Sequence, residues 1–327
     1  MNHAGSERPP RGPALCAIGN FDGVHRGHVE VLQRAAREAE LQGASPVALT
    51  FDPHPAVVLG RSAPLLLTTL ERKVELIAAA VPAIRVVVKT FDRELAQRSA
   101  EEFATRVLVG ELSAVCVVVG QNFRFGRARE GDLGTLVKLG EKLGFTAHST
   151  DLVGDEKGLW SSTRVRRAVA AGDLADVERV LGRPHALTGT VVRGDQRGRT
   201  IGFPTANLGV VEELVPPHGV YAVLVDRLDR PNTPRALASG VANIGLRPTV
   251  GGGLSIEAHL LDFHPQAEAE RDLYGARLRY HLVAFLRGEQ KFQSLDALRA
   301  QIGADAAAAR AILAARKPVP GGLGGWY

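Results

Sequence analysis

Two histidines three residues apart are the first candidates for chemistry in this chain. His25 and His28 lie in a segment that also holds Gly19, Gly23 and Gly27. Residues three apart share one face of a helical turn, so both imidazoles can contact the same anion. The glycines permit tight turns, and a helix N-terminus offers unpaired N–H groups and the positive end of the helix dipole. The segment therefore predicts a phosphate-binding turn, although two surface histidines at a helix start would give the same spacing.

Alternating strands and helices would position this turn. Strands are predicted for the apolar runs at residues 14–18, 46–51, 84–89, 114–119 and 144–150. Helices are predicted between them, at 29–41, 70–81, 99–109 and 132–143, with capping boxes at 68–71 and 99–102. Strands that are apolar on both faces are typical of a parallel sheet covered by helices on both sides. Loops at the carboxyl ends of such strands line the ligand crevice.

Two of these loops carry side chains that suit a planar, phosphorylated ligand. His54 follows the second strand in a loop stiffened by two prolines, and it is either a ligand contact or part of a rigid structural loop. Asn122, Phe123, Arg124 and Phe125 follow the fourth strand. Phenylalanines can stack on a ring, an amide can hydrogen-bond it, and an arginine can meet a phosphate. Packed phenylalanines beside a solvated arginine are the alternative.

A second anion site is predicted at the start of a later helix. Ser161, Ser162 and Thr163 precede Arg164 and Arg166 there. Hydroxyls followed by arginines at a helix start suit an anion. From the side opposite the histidines, this segment could clamp a triphosphate. A simple N-cap with exposed arginines is the alternative.

The pattern changes near residue 183, after a short helix that begins at 172–174 and ends near 181. Short runs rich in β-branched residues then alternate with Gly and Pro turns, at 187–192, 219–226, 236–244, 255–261 and 277–286. This spacing predicts a small antiparallel β-barrel, followed by a helix at 294–316. We therefore predict domains at 13–183 and 184–316, with a flexible tail at 317–327.

The densest motif of the second half is a Gly- and Arg-rich stretch at 189–208. Gly194, Arg197 and Gly198 belong to a loop able to wrap phosphates. Thr205 and Asn207 follow two residues apart, so on an extended segment both side chains share a face. Their oxygens suit Mg²⁺, a hard cation.

Glu257 lies in an otherwise apolar predicted strand. Burying a carboxylate costs free energy unless it is paired, so the presence of Glu257 in this strand requires an explanation. The position predicts either a chemical role or a salt bridge at the rim of the barrel.

Composition favours a soluble cytoplasmic protein. The 327 residues are 45% hydrophobic and 23% charged, with a net charge of +5. No apolar run approaches the ~20 residues of a membrane span, and the polar start lacks the apolar core of a secretory signal. Without a run of like charges, no nucleic-acid partner is expected. The two cysteines, Cys16 and Cys116, lie in apolar runs, which favours buried thiols over a thiolate metal site.

Several motifs resemble those of the bacterial bifunctional riboflavin kinase/FAD synthetase family. They lie at residues 19–28, 51–55, 119–126, 161–166 and 189–207, the last ending in Pro-Thr-Ala-Asn. The histidine pair resembles the HxGH signature of nucleotidyltransferases, which transfer an adenylyl group from ATP with loss of pyrophosphate. Gln121 departs from the family pattern, where an acidic residue is more frequent.

The resemblance implies a Rossmann-like nucleotidyltransferase domain that makes FAD from FMN and ATP. It also implies a riboflavin kinase-like barrel, closed by a C-terminal helix, that makes FMN from riboflavin, ATP and Mg²⁺. Catalytic positions implied are His25, His28 and Glu257. ATP-binding positions implied are Gly19, Asn20, Phe21, Asp22, Gly23, Gly27, Ser161, Ser162, Thr163, Arg164, Arg166, Gly194, Arg197 and Gly198. Flavin-binding positions implied are His54, Asn122, Phe123, Arg124, Phe125 and Asp173, and metal-binding positions are Thr205 and Asn207.

Some alternatives stay open. A helix N-cap explains Asp173 as well as a flavin contact does. An HxGH adenylyltransferase for another phosphate, or a non-catalytic flavin-sensing or nucleic-acid-binding protein, would share part of the pattern. The chain is expected to be a monomer or a weak homo-oligomer.

Overall fold

The predicted strands of the first half form one parallel sheet. A computed structural model describes residues 12–60, 62–194, 205–228, 235–246, 253–263 and 272–317. The chain divides into two units, Met1–Arg164 and Val165–Tyr327. In the first, the sheet order is β3-β2-β1-β4-β5, and every neighbouring pair is parallel. Its strands are β1 Ala14–Ile18, β2 Ser45–Asp52, β3 Arg85–Thr90, β4 Ala114–Gly120 and β5 Thr146–Thr150.

Helices cover this sheet on both sides, as predicted. They are α1 Arg26–Leu41, α2 Pro55–Val58, α3 Leu70–Ala80, α4 Arg93–Gln97, α5 Ala100–Phe103 and α6 Leu133–Leu143. Alternate residues of β1 belong to different cores: Leu15 and Ala17 pack with residues of α1 and α3, whereas Cys16 and Ile18 pack with Phe103 and its neighbours. All five residues of β1 are buried. This strand is therefore fixed from both faces, which holds the turn that follows it.

Several element boundaries differ from the prediction for local reasons. α1 begins at Arg26 rather than near residue 29, because His25 serves as its N-cap. The capping box predicted at 68–71 is wrong, because the hydroxyl of Thr68 contacts Asp22 and Thr69 caps α3 instead. The capping box at Ser99 and Glu102 is confirmed, but its helix continues as a π-helical segment at Ala104–Glu111.

A short hairpin not predicted from the sequence lies near the end of the first unit. It consists of β6 Gly154–Asp155 and β7 Gly158–Leu159. Helix α7, Ser162–Ala171, follows it and contains the division between the units. The predicted domain boundary near residue 183 stays a prediction.

The second unit is a closed antiparallel barrel with strand order β10-β11-β12-β9-β8-β13, as predicted. Its strands are β8 His185–Val192, β9 Thr205–Leu208, β10 Gly219–Arg227, β11 Arg235–Leu246, β12 Leu254–Leu261 and β13 Arg277–Arg287. Helix α8, Leu174–Leu181, precedes the barrel, and α9, Leu295–Leu313, packs against β10, β11 and β13.

The barrel interior is filled by large side chains. Tyr221 and Tyr280 are fully buried among the aliphatic residues of the facing strands. Burial raises the pKa of Tyr221 to about 12. Across the described ranges, no helix combines the length and apolar character needed to cross a membrane. Arg197, Gly198 and most of the predicted tail, residues 318–327, lie outside the described residues.

Candidate active sites

The two histidines of the predicted phosphate turn lie against each other. Their ring centroids are 3.6 Å apart and the planes differ by 23°. His25 is buried, and its Nδ1 accepts the backbone N–H of His28 at 3.3 Å. Phe21 meets the His28 ring edge-on at 5.3 Å. Because Nδ1 of His25 accepts a hydrogen bond, a neutral ring carries its proton on Nε2. Both rings therefore share one face of the turn, as the spacing predicts.

Gly27 leaves the space that the stacked rings occupy. A Cβ atom at this position would lie 3.1 Å from the His25 ring and 3.2 Å from the Trp160 carbonyl oxygen. Arg26 lies over the Trp160 ring at 5.6 Å. The start of α1 is thus closely packed against the segment that leads into α7.

Asp22 anchors the turn to the segment that precedes α3. Its buried carboxylate accepts the N–H groups of Leu67 and Thr68, each at 3.1 Å, and the Thr68 hydroxyl at 3.2 Å. The same hydroxyl oxygen accepts the Gly23 N–H at 3.2 Å. These contacts give the side chain of Asp22, predicted to bind ATP, a clear structural role. The sequence predicted Thr68 as a helix cap and not as a partner of Asp22, because this contact joins residues 46 positions apart.

The serine-rich segment lies next to the histidine turn. Ser162 Oγ donates to the backbone carbonyl of Asp22 at 2.8 Å, and Ser161 Oγ accepts the Arg164 N–H at 3.2 Å. Thr163 is exposed. The structure therefore brings Ser162 to the turn, and the clamp on a triphosphate from the opposite side stays a prediction.

Arg164 is paired with a carboxylate that the sequence reading missed. Its guanidinium donates to both oxygens of Asp155, at 2.7 and 3.1 Å, and to the Gly158 carbonyl at 2.8 Å. Trp160 Nε1 also donates to Asp155, at 3.3 Å. The Arg164 guanidinium holds the pKa of Asp155 well below its usual range. Arg166 is half-buried and lies in the second unit.

The predicted flavin residues of the first unit surround one cavity of about 320 Å³. His54, Asn122, Phe123, Arg124 and Phe125 line it, together with Gly19 and Asn20 of the histidine turn. Further aromatic lining comes from Phe51 near the end of β2, Phe91 just after β3 and Phe103 at the end of α5. The cavity lies at the carboxyl ends of β1 and β4, the two strands between which the strand order of the sheet reverses. Open α/β sheets bind ligands at such a point.

The aromatic wall of this cavity is pre-organised. The Phe123 and Phe125 rings stack at 5.4 Å with planes 15° apart, and Phe103 contacts Phe125 at 5.8 Å. Phe125 is buried and exchanges two backbone hydrogen bonds with Gly131. Phe125 therefore packs in the core, as the alternative predicts, and stacking on a ligand ring stays a prediction.

His54 connects the loops after β1 and β2. Its Nδ1 accepts the Ala56 N–H at 3.2 Å, which caps α2, and its Nε2 lies 3.3 Å from the Asn20 amide. His54 thus belongs to both the cavity lining and the loop framework.

Lys73 is a further buried charge near this site that the sequence reading missed. Its Nζ donates to the Phe51 carbonyl at 3.4 Å. Burial lowers the pKa of the Lys73 ammonium, and the carboxylates of Asp22 and Asp52 oppose that effect. Lys73 therefore links α3 to the end of β2.

The second group of candidate residues, Thr205, Asn207 and Glu257, lies on the outer face of the barrel. Ala206, Leu208, Ile256 and Ala258 point into the core, so the residues between them point outward. Asn207 of β9 is the register partner of Glu257 on β12. Thr205 lies on the same face, with its Oγ1 3.4 Å from Asn207 Nδ2, as predicted. Strand pairing, which the sequence did not reveal, places the predicted base beside the predicted metal ligands.

Ser255 supports the carboxylate of Glu257. The buried Ser255 hydroxyl donates to Glu257 Oε1 at 3.0 Å. Residues two apart on a strand share a face, so the sequence held a signal for this pair. Among the described residues, Glu257 forms no ion pair, so the salt-bridge alternative has no support there.

The donor set around Asn207 suits a hard cation. Asn207 is buried, and its Oδ1 has no hydrogen-bond partner within the described ranges. A Cβ atom on Gly194 would lie 2.7 Å from the Asn207 side chain, so only glycine permits this approach. An unsatisfied amide oxygen beside a hydroxyl oxygen and a carboxylate fits the oxygen ligands that Mg²⁺ prefers.

Asp173 caps a helix in the second unit. Its side chain accepts the Asp176 N–H at 2.9 Å at the start of α8. The structure therefore supports the N-cap alternative, and a flavin contact stays a prediction.

Two protein families match different parts of this chain. The FAD synthetase family matches residues 8–164, and the riboflavin kinase family matches residues 181–313. The bifunctional riboflavin kinase/FMN adenylyltransferase of Escherichia coli K12 is 41% identical over 318 residues, 97% of either chain. The chain belongs to the bifunctional riboflavin kinase/FMN adenylyltransferase family.

Other members and a solved structure agree with this assignment. The bifunctional riboflavin kinase/FMN adenylyltransferase of Pseudomonas fluorescens is 40% identical, over 94% of this chain and 95% of its own. A crystal structure from Streptococcus pneumoniae, named a macrolide-efflux protein, aligns with a TM-score of 0.78 at 27% identity, over 92% of this chain and 95% of that one. Within this family, the histidine turn falls in the FAD synthetase region and Glu257 in the riboflavin kinase region. Arg166 and Asp173 fall between the two matched regions.

Proposed function

We propose that this chain uses ATP twice, first to phosphorylate riboflavin to FMN and then to adenylylate FMN to FAD with release of pyrophosphate. The observation that carries the proposal is that each of the two constellations lies within the region matched by its own family. The stacked histidines and the aromatic cavity serve adenylyl transfer. The outward-facing Thr205, Asn207 and Glu257 serve the kinase step.

In the kinase step, Glu257 accepts the proton of the riboflavin 5′-hydroxyl. That oxygen then attacks the γ-phosphorus of ATP, and ADP leaves. Ser255 holds Oε1 of Glu257 at 3.0 Å, which directs the carboxylate. General-base assistance typically contributes ~10²–10⁴-fold, and positioning with charge neutralisation supplies much of the rest.

Thr205 and Asn207 would hold Mg²⁺ together with the phosphates of ATP. The unsatisfied Oδ1 of Asn207 supports this assignment. When bound, the ion neutralises phosphate charge. Gly194 leaves room for Asn207, and Arg197 and Gly198 of the same loop are proposed to contact phosphates.

In the adenylyl step, the FMN phosphate needs no base because it is already an anion. It attacks the α-phosphorus of a second ATP, and pyrophosphate leaves. His25 and His28 donate to the phosphate oxygens on which charge develops, which is the kind of contact whose loss typically costs ~10²–10³-fold in rate. Ser161 and Ser162 flank the same turn.

The arginines of this segment divide into two kinds. Arg164 would have to leave Asp155 to contact pyrophosphate, so we assign it to holding the 155–164 segment in place. Arg166 remains our candidate for stabilising the departing pyrophosphate. The backbone at Gly19, Asn20, Phe21, Gly23 and Gly27 is proposed to line the ATP site.

The aromatic cavity is proposed to take the flavin ring of FMN. A volume of about 320 Å³ falls at the lower end of the range for small-molecule pockets. Phe123 can stack on the ring, Asn122 can hydrogen-bond its edge, and Arg124 can meet the phosphate. We further propose a cytoplasmic enzyme that acts as a monomer or weak homo-oligomer, without membrane or nucleic-acid partners.

One incubation tests the proposal. The purified chain is supplied with riboflavin, ATP and Mg²⁺, and the flavins are separated by chromatography over time. We expect FMN to appear first and FAD to follow. If a folded chain forms neither flavin product, the proposal is wrong.

A further inference from the structure

Three side chains capable of binding a metal meet on the face of the parallel sheet that α1 covers. Glu38 lies on α1, Cys116 on β4 and His148 on β5. One donor atom from each lies within 4.8 Å of the donors of the other two. The cluster contains none of the residues assigned above to ATP, flavin or Mg²⁺.

Glu38 and Cys116 approach different nitrogens of the His148 ring. Glu38 Oε2 lies 2.8 Å from His148 Nε2, and Cys116 Sγ lies 4.0 Å from His148 Nδ1. Zn²⁺ binds thiolate sulfur at ~2.3 Å and imidazole nitrogen at ~2.0–2.1 Å. The sum of these two bond lengths exceeds the 4.0 Å between Cys116 Sγ and His148 Nδ1. Cys116 Sγ and His148 Nδ1 can therefore reach one ion. Glu38 joins them when its carboxylate turns from Nε2 toward that ion, a short movement because the three donor atoms lie within 4.8 Å of one another.

The cluster also has an outer hydrogen bond of the kind that metal sites use to orient their ligands. Arg34 Nε donates to the other oxygen of Glu38, at 2.8 Å. Thr146, the register partner of Cys116 on β5, donates its hydroxyl to the Val115 carbonyl at 3.5 Å. An outer partner such as Arg34 fixes the direction of ligand atoms.

Burial forms a site with one open side. Cys116 is fully buried, whereas the side chains of His148 and Glu38 are 32% and 22% exposed. The thiol thus lies at the buried end of the site, and the other two side chains lie at its solvent-exposed end. Burial raises the pKa of the Cys116 thiol, so a metal ion must displace its proton.

We propose that Glu38, Cys116 and His148 form a binding site for a zinc-class divalent metal ion, with water as the fourth ligand. A sulfur, nitrogen and oxygen donor set favours Zn²⁺ or Co²⁺ over Mg²⁺, which prefers oxygen alone. This site is chemically distinct from the proposed Mg²⁺ position on the barrel. The sequence spacing did not predict it, because Cys116 lies far along the chain from Glu38.

Cobalt is the probe for this site, because a thiolate bound to Co²⁺ gives a charge-transfer band in the near ultraviolet. The full chain, in excess Mg²⁺ and without nucleotide, is titrated with Co²⁺, and difference spectra are recorded. We expect one Co²⁺ per chain with a thiolate band that Zn²⁺ abolishes and added Mg²⁺ leaves intact. A wild-type chain without that band overturns the proposal.

Substitutions assign the ligands. Cys116→Ser should abolish the band, whereas Cys16→Ser, which changes the chain's other cysteine on the opposite face of the sheet, should keep it. Glu38→Gln and His148→Gln, near the surface, should weaken Co²⁺ binding by about 10–100-fold. These two variants keep the test decisive should Cys116→Ser fail to fold, and unchanged affinity in both would overturn the proposal.

Discussion

Arg164 donates two hydrogen bonds to Asp155, at 2.7 and 3.1 Å, and so joins the start of α7 to the β6–β7 hairpin. From the sequence, Arg164 was a candidate phosphate ligand. The pairing makes it part of the framework that brings Ser162 to the histidine turn. The side chains of Arg164 and Asp155 are only 11% and 13% exposed, so the pair is partly shielded from solvent.

Asp155→Asn should destabilise the chain in a pH-dependent manner. Because the pKa of Asp155 is lowered in the folded state, its ionisation stabilises the fold at neutral pH, and this contribution is lost as the pH falls below the ordinary value of 3.8. The difference in urea midpoint between wild type and variant should therefore be largest near neutral pH. It should shrink as the pH falls below 3.8.

Arg164→Gln provides the matching test for this pair. It should reproduce the loss at neutral pH, and the double variant should add little to either single change, since both remove the same contact. A difference between wild type and Asp155→Asn that stays constant with pH would contradict the assigned pairing.

Thr68→Val should slow FAD formation and spare FMN formation. The change removes the hydroxyl that bridges Asp22 and the Gly23 N–H beneath the histidine turn. A misplacement of about 1 Å at a reacting group can cost ~10²-fold, so we expect a loss of that order in the rate of FAD formation from FMN and ATP.

Thr69→Val is the matched control for this prediction. Thr69 is the adjacent threonine, and its hydroxyl caps α3. Its loss should cost about 1 kcal/mol of stability, with FAD formation near the wild-type rate. Equal loss of activity in both variants would show that the Thr68 contact has no specific effect.

Ser255→Ala should lower the turnover of the kinase step. Loss of a hydrogen bond to a charged group costs ~1.5–3 kcal/mol, so kcat for FMN formation should fall by at least about tenfold. KM for riboflavin should change little, because Ser255 contacts Glu257 rather than a proposed substrate site. Ser255→Thr retains a hydroxyl and should restore most of the rate; a Thr variant as slow as the Ala variant would refute the role.

Gly194→Ala should impair the kinase step alone. The added Cβ would lie 2.7 Å from Asn207 and displace its side chain from the proposed Mg²⁺ position. We expect a higher Mg²⁺ concentration for half-maximal FMN formation, with FAD formation from FMN unchanged. Gly303→Ala, on α9 with no atom within 4 Å of the new Cβ, is the control. An unchanged Mg²⁺ requirement would argue against Asn207 as a ligand.

The sequence predicted local features better than distant contacts. β1 and the helix capped by Asp132 were predictable, because apolar runs and capping residues act over a few positions. β9 was missed as a strand, since it has four residues and gains its partners only in the barrel. The contact of Asp22 with Thr68 changed the cap of α3 for the same reason.

The site residues follow a similar division. The stacking of His25 on His28 and the shared face of Thr205 and Asn207 follow from spacing along one element. The pairing of Glu257 with Asn207 depends on strand register, which no local pattern gives. Asp155 stands in a two-residue strand with no periodic signal, so its role became visible only from its contacts.

The two-site assignment is tested most directly by flavin chromatography of His28→Ala and Glu257→Gln. Each variant is incubated with riboflavin, ATP and Mg²⁺, and separately with FMN, ATP and Mg²⁺. We predict that His28→Ala accumulates FMN, with FAD formation reduced by at least ~10²-fold. Glu257→Gln should form no FMN from riboflavin but should convert supplied FMN to FAD at the wild-type rate. Loss of both activities in either folded variant would contradict the account.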